Sequence, residues 1–228
     1  MRDKNVLVVA PHPDDETLGC GGTLLSLKAN GNKIHWLLIT DMFETEGYSS
    51  NVIMKRDEEI KKIYNSYEFD NLIKLGIPAT QLDVIKKGEL ISKIANVFDE
   101  ISPNIVFMPY INDIHSDHKL TSEAVLSCTK WFRHKSIEKV LFYETISETN
   151  FNINTTTRAF KPNVYVNIGN YLEQKIEIMS IYESEFLNHP FPRSEKAIRS
   201  LASLRGSESG YDAAEAFELL KDTMSFEF

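Results

Sequence analysis

The sequence predicts an α/β protein with a Rossmann-like, mostly parallel sheet and helices on both faces. Three observations carry that prediction. Val6-Leu7-Val8-Val9-Ala10 is a β-branched-rich run without alternation, the pattern of a strand buried on both sides. Apolar runs of this kind then alternate with amphipathic segments of about 10–15 residues, the rhythm of right-handed βαβ units. Histidines and carboxylates crowd just past two of the strand ends, where open α/β sheets bind ligands.

The elements follow in order. After the Val6–Ala10 strand, Thr17–Lys28 reads as a helix with glycines near its start, stopped by Asn30-Gly31-Asn32. Ile34–Thr40 is a second strand and Val52–Tyr67, with Ile53, Ile60, Ile63 and Tyr64 at helical spacing, a second helix. Leu72–Leu75 is a short strand ended by Gly76 and Pro78, and Leu90–Ile101 is an amphipathic helix. Asn104–Met108 is the fourth strand, closed by Pro109; Leu120–Phe132 is a helix and Lys139–Tyr143 a fifth strand. The Asn/Thr-rich stretch Asn150–Pro162 is a loop, Val164–Val166 a further strand, and Leu172–Tyr182 a helix. Asn188–Pro192 is a rigid extended piece, and Ser194–Arg205 and Asp212–Leu220 read as helices. Numbered along the chain, the strands are expected in the order 3-2-1-4-5. Residues 1–145 form the Rossmann-like core and 146–228 a C-terminal extension of helices and loops that walls the cleft. No internal repeat breaks this up, so 1–228 is expected to be one domain.

Composition narrows the function classes. The chain has 228 residues, 42% hydrophobic and 25% charged, with 10 Gly and 8 Pro, which excludes collagenous, disordered and low-complexity classes. Lys plus Arg number 25 against 33 Asp plus Glu, a net charge of -8, so no basic excess is present to neutralise phosphates and nucleic acid is not an expected partner. No run of about 18 apolar residues is present to span a bilayer, and the opening residues lack the core of a signal peptide. With only 2 Cys, the expectation is a cytoplasmic protein in a reducing compartment.

The chemistry concentrates in Pro11-His12-Pro13-Asp14-Asp15-Glu16, where the first strand ends. Three consecutive carboxylates beside a histidine repel one another unless a positive charge sits among them, and a metal cation answers that need. A second cluster, Asp113-Ile114-His115-Ser116-Asp117-His118, begins four residues beyond Pro109. In the expected order the first and fourth strands are neighbours, so the two clusters flank one crevice. His12, Asp15 and His118 would give two imidazoles and a carboxylate, a catalytic zinc set with an open position. Asp14, Glu16, Asp113, His115 and Asp117 are left for supporting and proton-transfer work. Such a site is equipped to hydrolyse an unactivated amide.

At these residues the sequence resembles the LmbE-like or PIG-L-type zinc-dependent N-acetylglucosaminyl deacetylases. The His-Pro-Asp-Asp-Glu that this family carries after its first strand is met in full by His12 to Glu16, and its later His-x-Asp-His by His115 to His118. Two weaker features match in order: Arg56 and Glu59 as Arg-x-x-Glu, and Arg205-Gly206 followed by Ala214-Glu215-Ala216-Phe217. The resemblance runs over nearly the whole chain. It implies that His12, Asp15 and His118 hold Zn, with Fe2+ suiting the same ligands in the cell, and that Asp14 is the general base. It further implies that His115 is the general acid or oxyanion partner, held and kept charged by Asp117, and that Arg56 fixes the substrate near the metal. The implied reaction removes acetyl from an N-acetylglucosamine-type sugar or conjugate, releasing acetate and a free amine. Its partner is a small N-acetylated amino sugar, and self-association as a homo-oligomer is compatible with it. Two departures stand out: Ser116 where proline is usual, and Gly76–Leu82 without the Asp-Gly common there.

Blander readings compete at several positions. His115 and His118 also suit a solvated loop in which Ser116 or Asp117 caps the next helix. Arg56 lies on a highly charged helix where a solvated pair with Glu59 explains it. Cys20 reads as packing, and Gly19-Cys20-Gly21-Gly22 as glycines that let a helix approach the sheet, since a dinucleotide loop would need glycine at Leu24. His35 and His134 carry no role, while His189 is a candidate substrate contact. Two other functions compete. In a Mg-dependent phosphoryl-transfer or receiver-type protein, Asp14 and Asp15 would hold Mg2+, a site that seldom uses histidine. In a binding module the metal would remain without turnover.

Overall fold

The computed structural model describes residues 2–224. Along the chain the elements are β1 (Asn5–Ala10), α1 (Asp15–Ala29), β2 (Lys33–Asp41), α2 (Ser50–Tyr67), β3 (Asn71–Pro78), α3 (Lys87–Ile101), β4 (Ile105–Pro109) and α4 (Ser116–Cys128). They continue with β5 (Lys139–Tyr143), β6 (Val164–Asn167), α5 (Leu172–Met179), α6 (Glu195–Ser209) and β7 (Ala214–Asp222). β1 is buried from Val6 to Ala10 because both sides of it are covered. Val6, Val8 and Ala10 pack into an apolar layer with α1, α2 and α5, while Leu7 and Val9 face α3 and α4.

The described strands form a seven-stranded sheet in the order β3-β2-β1-β4-β5-β7-β6. The first five follow the expected 3-2-1-4-5 order and pair in parallel. The last two are antiparallel additions: β7 runs against β5, with Tyr143 opposite Phe217, and against β6, with Tyr165 opposite Ala216. The mostly parallel Rossmann-like class therefore holds, with a mixed edge.

β7 corrects the helix expected at Asp212–Leu220. Alanine, glutamate and leucine favour helix by intrinsic propensity, but here they fill a slot between two strands, and tertiary pairing decides. The usual strand alternation is hidden because Glu215 and Glu218 are buried along with Ala214, Ala216 and Phe217. Glu218 is matched there by Arg158 and by the backbone N–H of Lys161. A second correction concerns α4, which starts at Ser116 and ends at Cys128 instead of running from Leu120 to Phe132. Trp131 and Phe132 lie in an exposed turn beyond it.

α1 is two helical pieces merged across a kink at Cys20 (φ −145°, ψ 19°). The kink frees backbone groups inside the protein, and each needs a partner. Lys175 Nζ donates to the Leu18 carbonyl at 2.9 Å and pairs with Glu215 at 2.6 Å. Glu215 in turn accepts from the N–H of Gly22 at 2.9 Å and of Thr23 at 2.8 Å. This ion pair between α5 and β7 thus completes the backbone bonding of the helix that leads out of the His12–Glu16 cluster. Close approach is the other requirement here: a Cβ on Gly19 would lie 2.3 Å from the ring of Tyr143, whose hydroxyl donates to the Val9 carbonyl at 2.9 Å. No helix among the described residues is long and apolar enough to cross a membrane. Both cysteines are free and buried.

Truncating Glu215 leaves the buried Lys175 ammonium without its counter-charge and the N–H groups of Gly22 and Thr23 without partners. Glu215→Ala is expected to cost about 3–5 kcal/mol of stability, read as a lower midpoint in urea unfolding. An unchanged midpoint would show that the kink needs no such support.

Candidate active site

The parallel pairing of β1 with β4 sets the loops that follow them side by side. The loop after β1 is tied down first: Pro11 O accepts from both the N–H and the hydroxyl of Thr40 at the end of β2, at 3.0 and 2.7 Å. Asp14 is the N-cap residue of α1 and its carbonyl accepts from Thr17 and Leu18 N–H. Its φ of 130° lies in a region that costs a non-glycine residue about 1–3 kcal/mol. The conformation places three neighbouring carboxylates in three surroundings. Asp14 Oδ2 meets Arg193 Nη1 at 2.7 Å. Asp15 Oδ2 accepts the His12 N–H at 2.8 Å. Glu16 is turned inward, accepting from the hydroxyls of Thr17 at 2.7 Å and Tyr182 at 2.9 Å.

Two imidazoles converge on one oxygen of Asp15. His118 Nε2 lies 3.3 Å and His12 Nδ1 3.4 Å from Asp15 Oδ2. The far nitrogen of each ring is held by another carboxylate: His118 Nδ1 by Asp113 at 2.8 Å and His12 Nε2 by Asp117 at 3.0 Å. Asp113 is fixed by the Thr149 hydroxyl at 2.6 Å, and Asp117 by the Thr80 N–H at 2.7 Å. A carboxylate behind each ring puts the ring proton on the outer nitrogen and leaves the inner lone pair free, as metal-ligating histidines require. Ligand atoms of His12, Asp15 and His118 all lie within 4.8 Å of one another. The donor set therefore fits a divalent ion of the zinc or iron type, and two imidazoles suit neither Mg2+ nor a receiver-type site. A second trio, His12, His115 and Asp117, satisfies the same distance, but Asp117 Oδ2 already holds His12 Nε2 and the Thr80 N–H, and His115 Nδ1 the Asp117 N–H.

The electrostatics agree. Burial disfavours charge on both rings, yet Asp117 and Asp15 raise His12 to about 9, and Asp15 with Asp113 raises His118 to about 10. Burial would raise Asp15 as well, but the two imidazoles hold it well below the carboxylate range. The site draws in positive charge, as proton or as metal ion. Asp14 is shifted up by burial, against the opposing pull of Arg193, and Glu16 by burial to about 7.

His115 departs from its expected setting. It is itself the N-cap of α4: its Nδ1 accepts the backbone N–H of Asp117 at 3.1 Å. An accepting Nδ1 is unprotonated, so the ring is neutral with its proton on Nε2. Burial and the neighbouring His12 and His118 push it down to about 4. The carboxylate of Asp117 serves His12 instead, so Asp117 neither holds His115 through its side chain nor keeps it charged. The three rings cluster, with His12 centred 4.5 Å from His115 and 5.4 Å from His118.

Arg56 is 5% exposed and almost fully engaged. Its guanidinium reaches Glu59 at 3.3 Å, the Pro13 carbonyl at 3.3 Å, and Ser184 and Glu185 each at 2.9 Å. It thereby ties the metal-binding loop to α2 and to the segment after α5. Arg193, Glu148 and Glu185 had not been singled out from the sequence. Arg193 joins them all, at 2.7 Å to Asp14 and Glu185 and 3.4 Å to Glu148. The signal for it was the same crowding of carboxylates that called for a cation, but nothing local said which distant arginine would come. These groups line a cavity of about 210 Å³ together with Met42, Tyr48 and Thr80. His189 lines a different, wider groove of about 770 Å³ beside α6, away from the imidazoles.

Comparison with known proteins agrees with this geometry. Over 229 residues the chain is 29% identical to the diacetylchitobiose deacetylase of Thermococcus kodakarensis, covering 95% of this chain and 83% of that protein. It is 25% identical to a probable N-acetyl-alpha-D-glucosaminyl L-malate deacetylase 2 of Bacillus anthracis, covering 81% and 82%. Among solved structures, the conserved protein TT1542 of Thermus thermophilus superposes with a TM-score of 0.77 at 26% identity, over 99% of this chain and 98% of that one. The model of the GlcNAc-PI de-N-acetylase family matches residues 7–129, which contain both histidine clusters, and with it the chain belongs to the PIG-L family of deacetylases.

Proposed function

We propose that this protein is a metal-dependent hydrolase that removes the N-acetyl group from an N-acetylglucosamine-type sugar or conjugate, releasing acetate and a free amine. The observation that carries the reading is the convergence of His12 Nδ1 and His118 Nε2 on Asp15, with Asp117 and Asp113 behind the rings. His12, Asp15 and His118 would hold the ion. When bound, a divalent ion supplies Lewis acidity that polarises an amide carbonyl and acidifies water.

The remaining steps belong to the chain. Asp14 takes the proton of the attacking water; its raised proton affinity suits a group that must accept a proton and give it up again. The same Asp14 passes that proton to the amide nitrogen as the C–N bond breaks, so water's oxygen ends in acetate and its proton on the amine. Arg193 keeps the Asp14 carboxyl aimed into the cleft. His115, neutral and carrying its proton on Nε2, donates to the carbonyl oxygen as negative charge develops there, the role of an oxyanion partner. The Arg56 guanidinium makes three hydrogen bonds and an ion pair with Glu59 within the protein, and its remaining donor capacity would serve a sugar hydroxyl.

Acetate release from N-acetylglucosamine and N,N'-diacetylchitobiose tests the reading. Dialysis against a chelator should abolish it and added Zn2+ or Fe2+ restore it; activity that survives chelation with no metal detected would remove the metal from the mechanism. Asp14→Asn should lower kcat by about 10²–10⁴ while bound metal per chain stays the same, and a fully active Asn variant would end its role as base. Asp113→Asn acts behind His118 and should weaken metal affinity by about 10–100-fold, measured by competition with a chromophoric chelator.

A further inference from the structure

We infer that the substrate is uncharged beyond its acetamide: a neutral N-acetylated sugar or glycoside, not one whose attached group bears phosphate or carboxylate. This rests on the deacetylase reading and adds to it the charge of the group that reaches the cleft's rim. Asp14, Asp15, Asp41, Glu148 and Glu185 all line the cavity; with the imidazoles of His12 and His118 given to the metal ion, the other cations lining it among the described residues are Arg56 and Arg193. Neither offers net charge to a ligand. Arg56 lies between Glu59 and Glu185. Arg193 is shared by Asp14, Glu185 and Glu148. Lys74, which approaches the wall at Asp41 (2.7 Å), is also held by Asp57 at 2.9 Å.

Helix N-termini, the other common anchor for anions, are also taken. α1 begins with Asp14, Asp15 and Glu16, and α4 is capped by His115 with Asp117 in its first turn. Asp113 and Asp117 add negative charge behind the imidazoles, so the two charges of a metal ion leave the cleft acidic. The uncharged part of the wall is Met42, Tyr48, Ala79 and Thr80, which suits the hydroxyls and apolar faces of a sugar. At about 210 Å³ the cavity is below the usual ~300–1,000 Å³ of ligand sites. It suits the ring that bears the acetamide and leaves the next group at the mouth, where Tyr48 and Thr80 are exposed and Asp41 is half-buried. An anion there meets like charge without a free cation, an arrangement that rejects partners.

The test compares zinc-loaded enzyme on methyl N-acetylglucosaminide, N,N'-diacetylchitobiose and N-acetylglucosamine 1-phosphate. At low salt, kcat/KM for both uncharged compounds should exceed that for the phosphate at least tenfold. The gap should narrow as salt is raised, and narrow at least threefold in Asp41→Asn, which takes one carboxylate out of the wall and leaves Lys74 paired with Asp57 alone. Equal or better turnover of the phosphate at low salt overturns the inference. Where wild type releases no acetate from any compound, binding of the same compounds to the zinc-loaded wild type, by calorimetry, separates the two readings. If it then prefers the uncharged glycoside, the charge selectivity stands and deacetylation falls. If it binds the phosphate as tightly, the selectivity is wrong.

Discussion

A single carboxylate oxygen, Oδ2 of Asp15, gathers two imidazoles from loops a hundred residues apart, and the rest of the cleft is arranged around the charge this concentrates. Buried carboxylates repel, and burial alone would protonate them. Here the excess is managed in three ways. Asp15 faces the imidazoles that define the ion site, Asp14 is paired with Arg193, and Glu16 is withdrawn among hydroxyls. Three adjacent residues of identical or nearly identical chemistry thus acquire different roles from their surroundings alone. That separation gives neighbouring carboxyls opposite proton affinities, Asp15 held low by the imidazoles and Asp14 raised by burial.

The architecture that holds them apart draws on the whole chain. Parallel pairing of β1 with β4 brings the two histidine clusters together, and the β3 loop contributes the Thr80 N–H that fixes Asp117. The C-terminal third reaches the same place from the other side. α5 and β7 supply the Lys175–Glu215 pair at the kink of α1, and the segment before α6 supplies Arg193. Burial of an ion pair is seldom a net source of stability; here it completes backbone hydrogen bonds that a kinked, closely packed helix has lost. The kinked helix begins within the His12–Glu16 cluster, so its alignment bears on the positions of Asp14, Asp15 and Glu16.

Legibility from sequence followed the locality of the signal. The four inner parallel strands were readable because double-sided burial writes unbroken apolar runs, β3 at the edge was legible only as a short apolar stretch ended by Gly76 and Pro78, and strand ends in such sheets are known ligand sites. β7 was not readable, because Glu215 and Glu218 occupy buried positions that look solvated until Lys175 and Arg158 are seen beside them. The cap of α4 was misplaced by one or two residues, since a histidine accepting a backbone N–H competes with the usual Ser or Asp caps. Arg56 was picked out, but its engagement with Pro13 and Glu185 depends on loops brought in by the fold.

By itself the sequence determined the class of sheet, the two clusters that face one crevice, and the donor types available to a metal ion, because each is encoded within a few neighbouring residues. The tertiary structure alone decided which carboxylate backs which imidazole, that His115 is neutral, and which arginine partners Asp14. Those outcomes turn on hydrogen-bond distances of about 3 Å between groups remote in sequence. Buried charge selects its partner by proximity in the folded chain.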